Sequence, residues 1–167
     1  MTEQRTMPHD LDAEQALLGA ILLNNKIYLA VRYFLTPQEF ASPAHGVTFK
    51  ICGKLIERDE TADPATVVRI AKQDDSIAEF EVFSDLEDFG FEDFEKYLSS
   101  LPKTVSEVEA AKAHAVTIHE LFIRRDLIAL GEDIVNEAYD KEDQTAMERI
   151  SFAIRCLMDL EASVKTE

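Results

Sequence analysis

The stretch TVSEVEAAKAHAVTIHELFIRRDLIALGEDIVNEAY, Thr104–Tyr139, decides the fold because no proline interrupts it over this length. Its apolar residues recur at helical spacing on two faces, one with Ile123, Leu127, Leu130 and Ile134 and the other with Leu121, Ile128 and Val135. A single long helix with two apolar faces needs two packing partners. The stretch therefore predicts a helix that packs within its own chain and against something else.

A second helix is predicted close behind the first. After the break at Asp140–Asp143, an apolar stripe continues at spacings of three and four through Met147, Ile150, Ile154 and Leu157. Because the connection is short and both helices carry apolar stripes, we expect an antiparallel helical hairpin. The apolar surface from Ile118 to Val135, together with this stripe, exceeds what one hairpin can bury internally, so the hairpin is predicted to mediate dimerisation.

Shorter helices are predicted before this hairpin. Asp10 is placed to cap the first helix, and Asn24 and Asn25 end it. Two further helices are predicted to begin at the dipeptides Ser42-Pro43 and Asp63-Pro64, in which a capping residue is followed by proline. The predicted class is all-α, a globular helical head followed by the hairpin. We divide the chain into a flexible N-terminus (1–8), the head (9–103) with an acidic insert (73–95), the long helix and hairpin (104–163) and a tail (164–167).

The acidic insert combines two kinds of side chain. Between Lys72 and Lys96 it has ten acidic residues, no basic one and five phenylalanines. One interpretation is an acidic surface loop whose phenylalanines pack into the core; another is an aromatic-acidic docking segment for a basic partner. A third is that the carboxylates imitate DNA phosphates.

Composition limits the partners and the compartment. A net charge of −16 repels a phosphate backbone, so no direct DNA binding is expected. Cys52 and Cys156 are far apart in sequence and lie in apolar helical patterns, which predicts buried free thiols and a reducing cytoplasm. The longest clean apolar run, Ala20–Leu23, is too short for a membrane span.

No catalytic or metal site is predicted. Gly53-Lys54 has no glycine five residues earlier and is followed by Leu55, so the GxxxxGK[ST] loop that holds nucleotide phosphates is missing and no cofactor is expected. His114 and His119 lie about 140° apart on a helix and cannot readily share one ion, which makes them surface or boundary histidines. His9 and His45 are interpreted as isolated residues at helix starts.

Several motifs together resemble the N-terminal domain of DnaB-type replicative DNA helicases. The opening PHDLDAEQALLG at Pro8–Gly19 has that family's proline, helix cap, Ala-Glu pair and Leu-Gly pair. Further matches in family order are Thr36–Phe40, the Pro43, His45 and Phe49 set, Thr61–Val67, the Tyr-Leu-x-x-Leu of Tyr97–Leu101 and His114–Asp140. One departure is that the family's Gly-Gly pair before Tyr97 is replaced by Gly90-Phe91 and the acidic insert.

The resemblance implies a collar domain rather than an enzyme. In the family, hairpins of neighbouring subunits pair, three such dimers form a collar on the hexameric ATP-dependent helicase, and primase docks there through its C-terminal domain. The expected partners are therefore a second copy, then primase or a helicase loader. The predicted interface residues are Ile118, Leu121, Phe122, Arg124, Arg125, Leu127, Ile128, Ile134, Val135, Ile150, Ile154 and Leu157.

Two questions stay open at this point. Arg124 and Arg125 either form helix-surface ion pairs with Glu120 or Asp126, or bridge to another subunit or to primase. The chain is either the collar part of a helicase or a stand-alone collar-like protein, of phage or plasmid type, that regulates or recruits a host helicase.

Overall fold

The computed structural model describes residues 5–74, 91–103, 107–140 and 144–165, and the regular elements in these ranges are all helical. The elements are α1 (Leu11–Leu23), α2 (Lys26–Val31), a short 3-10 helix (Pro37–Glu39), α3 (Pro43–Ile56), α4 (Pro64–Gln73), α5 (Phe91–Ser100), α6 (Val108–Tyr139) and α7 (Ala146–Lys165). The predicted all-α class is confirmed. Most of the acidic insert, 75–90, lies outside the described residues.

Helix α1 packs one of its sides into the core of the head. Asp10 caps it as predicted, accepting a hydrogen bond of 2.9 Å from the Ala13 amide. One side of the helix is fully buried at Leu17, Leu18 and Ile21, and these side chains join a core built from α2, α3, α4 and α5. Burial of this kind is the dominant favourable term in folding, so the apolar side of α1 contributes to the stability of the head.

Asn25 ends α1 and also fixes a distant segment. Its amide nitrogen donates to the carbonyls of Ile21 at 2.8 Å and Ala62 at 2.9 Å, and its amide oxygen accepts from the Ala62 N–H at 2.9 Å. These bonds satisfy backbone groups at the end of the helix. The Asn25 side chain therefore holds the segment before α4 against the end of α1.

The two predicted proline starts differ in how they are capped. At α4, Asp63 and Thr66 form a reciprocal capping box, with the Thr66 N–H donating to Asp63 at 2.8 Å and the Asp63 N–H donating to Thr66 at 2.9 Å. At α3, Ser42 occupies the cap position but its side chain makes no capping bond. Its backbone N–H instead donates to the Glu14 carboxylate at 3.3 Å.

The chain divides into two compact units, residues 9–119 and residues 120–167 with 1–8. We expected the hairpin region to begin at residue 104, but the first turns of α6 belong to the head. The physical reason is that Ala111, Ala115 and Ile118 are buried in the head core. The remainder of α6, from Glu120, belongs to the unit that contains α7, which we call the hairpin unit.

Candidate interaction surface on the hairpin unit

Helix α7 carries a continuous apolar face that is open to solvent. Ile150, Ile154 and Leu157 are 53%, 52% and 42% exposed, and no residue of α7 is buried. On a helix that turns 100° per residue, these three positions lie within about 60° of each other. They form one apolar stripe, and Met147 and Met158, both exposed, widen it.

The other sides of α7 have a different character. A neighbouring face is partly buried within the chain, at Arg149, Ala153, Cys156 and Leu160. The third face is polar except for Phe152, which is 47% exposed and lies about 160° around the helix from Ile150. The helix therefore has one face that is partly buried within the chain and a second, apolar face that is exposed, which is the stripe that the sequence predicted for it.

Helix α6 also carries an arc of exposed apolar residues beyond Glu120. Leu127, Ile128 and Val135 are exposed, whereas Ile134 is half-buried. Gly131 lies within this arc, and a Cβ added there would meet nothing within 4 Å. A mid-helix glycine costs about 1 kcal/mol relative to alanine, and no contact among the described residues requires a glycine at this position.

Charged and polar groups hold α7 to the end of α6. The Arg149 guanidinium donates to the Glu137 carbonyl, to the Glu137 carboxylate at 3.1 Å and to the Asp140 carbonyl at 3.2 Å. These carbonyls lie at the end of α6, where a cation is favourable because the helix dipole is negative there. This cap ties the first turn of α7 to the end of α6.

A second capping arrangement starts α7. The Thr145 N–H donates to the Glu148 carboxylate at 2.7 Å, and the Glu148 N–H donates back to the Thr145 hydroxyl at 3.3 Å. The backbone hydrogen bond from Thr145 lowers the pKa of Glu148 below its usual value. This box satisfies backbone N–H groups at the start of α7.

The twelve residues predicted for the interface are not all available at the surface. Ile118 is 2% exposed because it belongs to the head core, so its assignment to an interface was wrong. Leu121 and Phe122 are half-buried in the hairpin unit. The remaining aliphatic positions that are well exposed are Leu127, Ile128, Val135, Ile150, Ile154 and Leu157.

The two arginines of α6 have separate surroundings. Arg124 forms the predicted helix-surface ion pair with Glu120, at 3.2 Å and four residues apart. Arg125 donates to the backbone carbonyl of Pro8 at 2.8 Å and its guanidinium lies 5.9 Å from the centre of the Phe122 ring. The alternative that either arginine bridges to another subunit stays a prediction.

A buried polar network in the head was not predicted as such. Glu14 is 2% exposed, and its carboxylate accepts from the Ala41 N–H at 2.6 Å and contacts His45 Nδ1 at 2.6 Å. His45 Nε2 lies 2.6 Å from the Tyr97 hydroxyl, which also accepts from the Gln15 side chain at 3.3 Å. His45 is therefore not an isolated helix-start residue, because both of its ring nitrogens are engaged.

This network is suited to fixing helices rather than to catalysis. If Nδ1–H donates to Glu14, then Nε2 accepts from the Tyr97 O–H, and each group has a partner. Burial raises the pKa of Tyr97, so the phenol stays protonated and able to donate. The motifs Ala-Glu, Pro-x-His and Tyr-Leu-x-x-Leu, far apart in sequence, thus meet in one place.

A second carboxylate–histidine pair, Glu39 and His119, lies in the same compact unit, residues 9–119. Glu39 is 4% exposed, accepts from the Thr36 backbone N–H and contacts Nδ1 of His119. His119 is a boundary residue, half-buried, as the sequence predicted. The described part of the chain contains no group of three or more His, Cys, Asp or Glu side chains arranged to hold a metal ion.

The two cysteines differ in burial, and the two ends of the acidic insert contact the head. Cys52 is buried and its thiol pKa is raised to about 12 by burial, whereas Cys156 is only partly buried. Within the insert, Phe94 is packed in the core and Asp74 pairs with Lys54 at 3.0 Å. Docking by the insert and DNA imitation concern residues 75–90 and lie outside the described part of the chain.

The described part of the chain is an all-helical domain, and its hairpin unit exposes an apolar face. Residues 6–120 match the family model described as the DnaB-like helicase N terminal domain. The chain belongs to this family. Among the helices described, none is long and apolar enough to cross a membrane.

Individual relatives agree with this assignment. The replicative DNA helicase DnaB of Rickettsia conorii is 34% identical over 157 residues, which is 93% of this chain and 29% of that protein. The DnaB of Geobacillus stearothermophilus is 28% identical over 141 residues, 84% of this chain and 28% of that protein. The chain thus spans less than a third of the curated relatives that it matches.

A solved structure has the same fold. The crystal structure of the N-terminal domain of DnaB helicase from Mycobacterium tuberculosis superimposes with a TM-score of 0.71 at 25% identity, covering 92% of this chain and 99% of that one. The predicted resemblance is therefore confirmed by sequence and by structure.

Proposed function

We propose that this chain is the collar domain of a replicative DNA helicase, which pairs with a second copy through the hairpin unit and receives primase or a helicase loader. The observation that carries the proposal is the exposed apolar face of α7 and of α6 beyond Glu120. Soluble proteins rarely leave a contiguous apolar patch of this kind uncovered unless it binds something.

The dimensions of this face suit a stable pairing. Helix α7 has 20 residues and is about 30 Å long. Two helices side by side present a face about 20 Å wide, or about 600 Å² in area, which approaches the roughly 800 Å² per partner of an ordinary stable interface. Because both copies offer the same face, a two-fold arrangement covers the apolar stripe of each.

Charge favours protein over DNA as the ligand of this domain. The net charge of −16 gives no counterion release on a phosphate backbone. Ring assembly with a motor domain, the docking of the primase C-terminal domain and a cytoplasmic location are part of the same proposal. Each follows from membership in the family rather than from a contact in this chain.

The proposal is tested by measuring mass in solution. We expect light scattering to give about twice the 18.9 kDa of one protomer at micromolar concentration, and a further increase when the primase C-terminal domain is added. A mass of one protomer at high concentration would contradict the pairing. An unchanged mass with primase present would contradict the docking alone.

A further inference from the structure

The segment before α1 packs with the hairpin unit rather than with the head that follows it directly. Residues 1–8 belong to the same compact unit as residues 120–167. The described part of this segment, Arg5–Pro8, is held by the Arg125 guanidinium, which donates to the Pro8 carbonyl at 2.8 Å. We call Arg5–Pro8 the strap.

The strap shares a cavity with the exposed arc of α6. Arg5, Thr6 and Met7 line one side of a cavity of about 540 Å³. The other side is formed by α6 residues, which are Ile128, Gly131, Glu132, Val135 and Asn136. The strap therefore lies beside the apolar arc and leaves open space between itself and the helix.

Two of those α6 residues are part of the proposed pairing face. Ile128 and Val135 are 38% and 54% exposed. Gly131 lies between them, and none of the described residues comes within 4 Å of the position that a Cβ would take there. A second copy that covered Ile128 and Val135 would need the volume beside the strap.

We propose that the strap is an autoinhibitory segment of the hairpin unit, which must leave the edge of α6 before a second copy can pair there. The inference rests on the proposed function, because it concerns the same face. The strap regulates pairing by standing in the volume beside Ile128 and Val135 that a second copy would need, and the Arg125 guanidinium holds it there through the Pro8 carbonyl.

Release of the strap would change the measured dimer affinity. Arg5, Thr6 and Met7 are exposed, and the Arg125–Pro8 bond joins a cation to one backbone carbonyl. If the closed strap were favoured about threefold, only a quarter of the protomers would be open, and pairing would need two open protomers. The apparent dimer Kd would then be about sixteen times the intrinsic value.

Three variants test the competition by sedimentation velocity over a concentration series. Deletion of residues 1–7 should tighten the dimer about tenfold, and Arg125→Gln should tighten it in the same direction by a smaller factor. Arg155→Gln removes the same charge from an exposed position of α7 and should leave the Kd unchanged. A weaker or unchanged dimer after the deletion or after Arg125→Gln would overturn the inference.

The direction in which Arg125→Gln changes the dimer Kd distinguishes two roles for Arg125. If Arg125 bridged to another subunit, Arg125→Gln would weaken the dimer, which is the opposite of what strap release produces. Tightening in both test variants with no effect of Arg155→Gln supports the strap alone.

Limited trypsin cleavage provides a readout that does not require dimers. Cleavage after Arg5, followed by intact mass, should be faster in Arg125→Gln than in the unaltered protein at concentrations where both are monomeric. Equal rates would overturn the inference even if the protein dimerises. If all variants stay monomeric at high concentration while cleavage is accelerated, the pairing fails and the inhibitory role fails with it, although the strap contact is real.

Discussion

Replacing Ile150 and Ile154 together with serine should break the proposed dimer without unfolding the chain. Both side chains are about half exposed, at 53% and 52%, so a partner would bury what solvent now covers. Isoleucine and serine have similar helix propensities. The substitution therefore removes apolar surface from α7 while leaving the helix intact.

The size of the effect can be worked out from the exposures. Fully burying an isoleucine stabilises by about 1.5–3 kcal/mol, so covering the remaining half contributes about 1 kcal/mol per side chain. A symmetric dimer contains each position twice, which gives about 4 kcal/mol for the two substitutions. At 1.4 kcal/mol per factor of ten, the dimer Kd should rise about a thousandfold.

Phe152→Ser is the matched control. Phe152 lies between the two isoleucines in sequence and is 47% exposed, but it is on the opposite side of α7. We expect this variant to keep the dimer Kd of the unaltered protein. Sedimentation velocity gives the Kd, and circular dichroism checks that helix content is the same in both variants.

Either of two results would contradict pairing through the apolar stripe of α7. One is a double variant that dimerises as tightly as the unaltered protein. The other is a Phe152→Ser variant that is weakened as much as the double variant, which would show that general apolarity rather than the stripe drives association.

Three further predictions concern the head. Gly19→Ala should lower the free energy of unfolding by several kcal/mol in chemical denaturation, because the new Cβ would lie 2.0 Å from the Pro102 carbonyl oxygen; a neutral result would contradict the close approach. Tyr97→Phe should cost about 1–3 kcal/mol by leaving His45 Nε2 without its donor. The loss of stability in Tyr97→Phe should shrink as pH rises past 10. Because burial raises the pKa of the Tyr97 phenol in the folded protein, the stability that this phenol contributes is complete below its unfolded-state pKa and is lost as pH rises through its folded-state pKa. Cys52, with its thiol pKa raised to about 12, should resist thiol reagents at pH 8 in the folded protein and react in guanidinium, and rapid labelling in the folded state would count against its burial.

Local sequence signals located most of the helices. The Asp10 cap and the prolines at 43 and 64 mark helix starts because capping depends on residues a few positions apart. The spacing of Ile150, Ile154 and Leu157 likewise placed them on one face, since helical periodicity is local.

The partners of a side chain were harder to predict. Ile118 has the same apolar character and spacing as the exposed residues after it, but the head core covers it. His45 looked isolated because Glu14 and Tyr97 are 31 and 52 residues away. Gly19 lies against the backbone at Pro102, just past the end of α5, and no spacing within α1 indicates that contact.

The sequence alone determined that this protein is helical, where most helices begin, and that its closing hairpin carries more apolar surface than it needs. Those properties follow from residues within a few turns of one another. Only the tertiary structure decided which apolar residues remain exposed, that Glu14, His45 and Tyr97 meet, and that Arg125 holds Pro8. Burial and long-range hydrogen bonds depend on which distant segments pack together, and no local spacing encodes that.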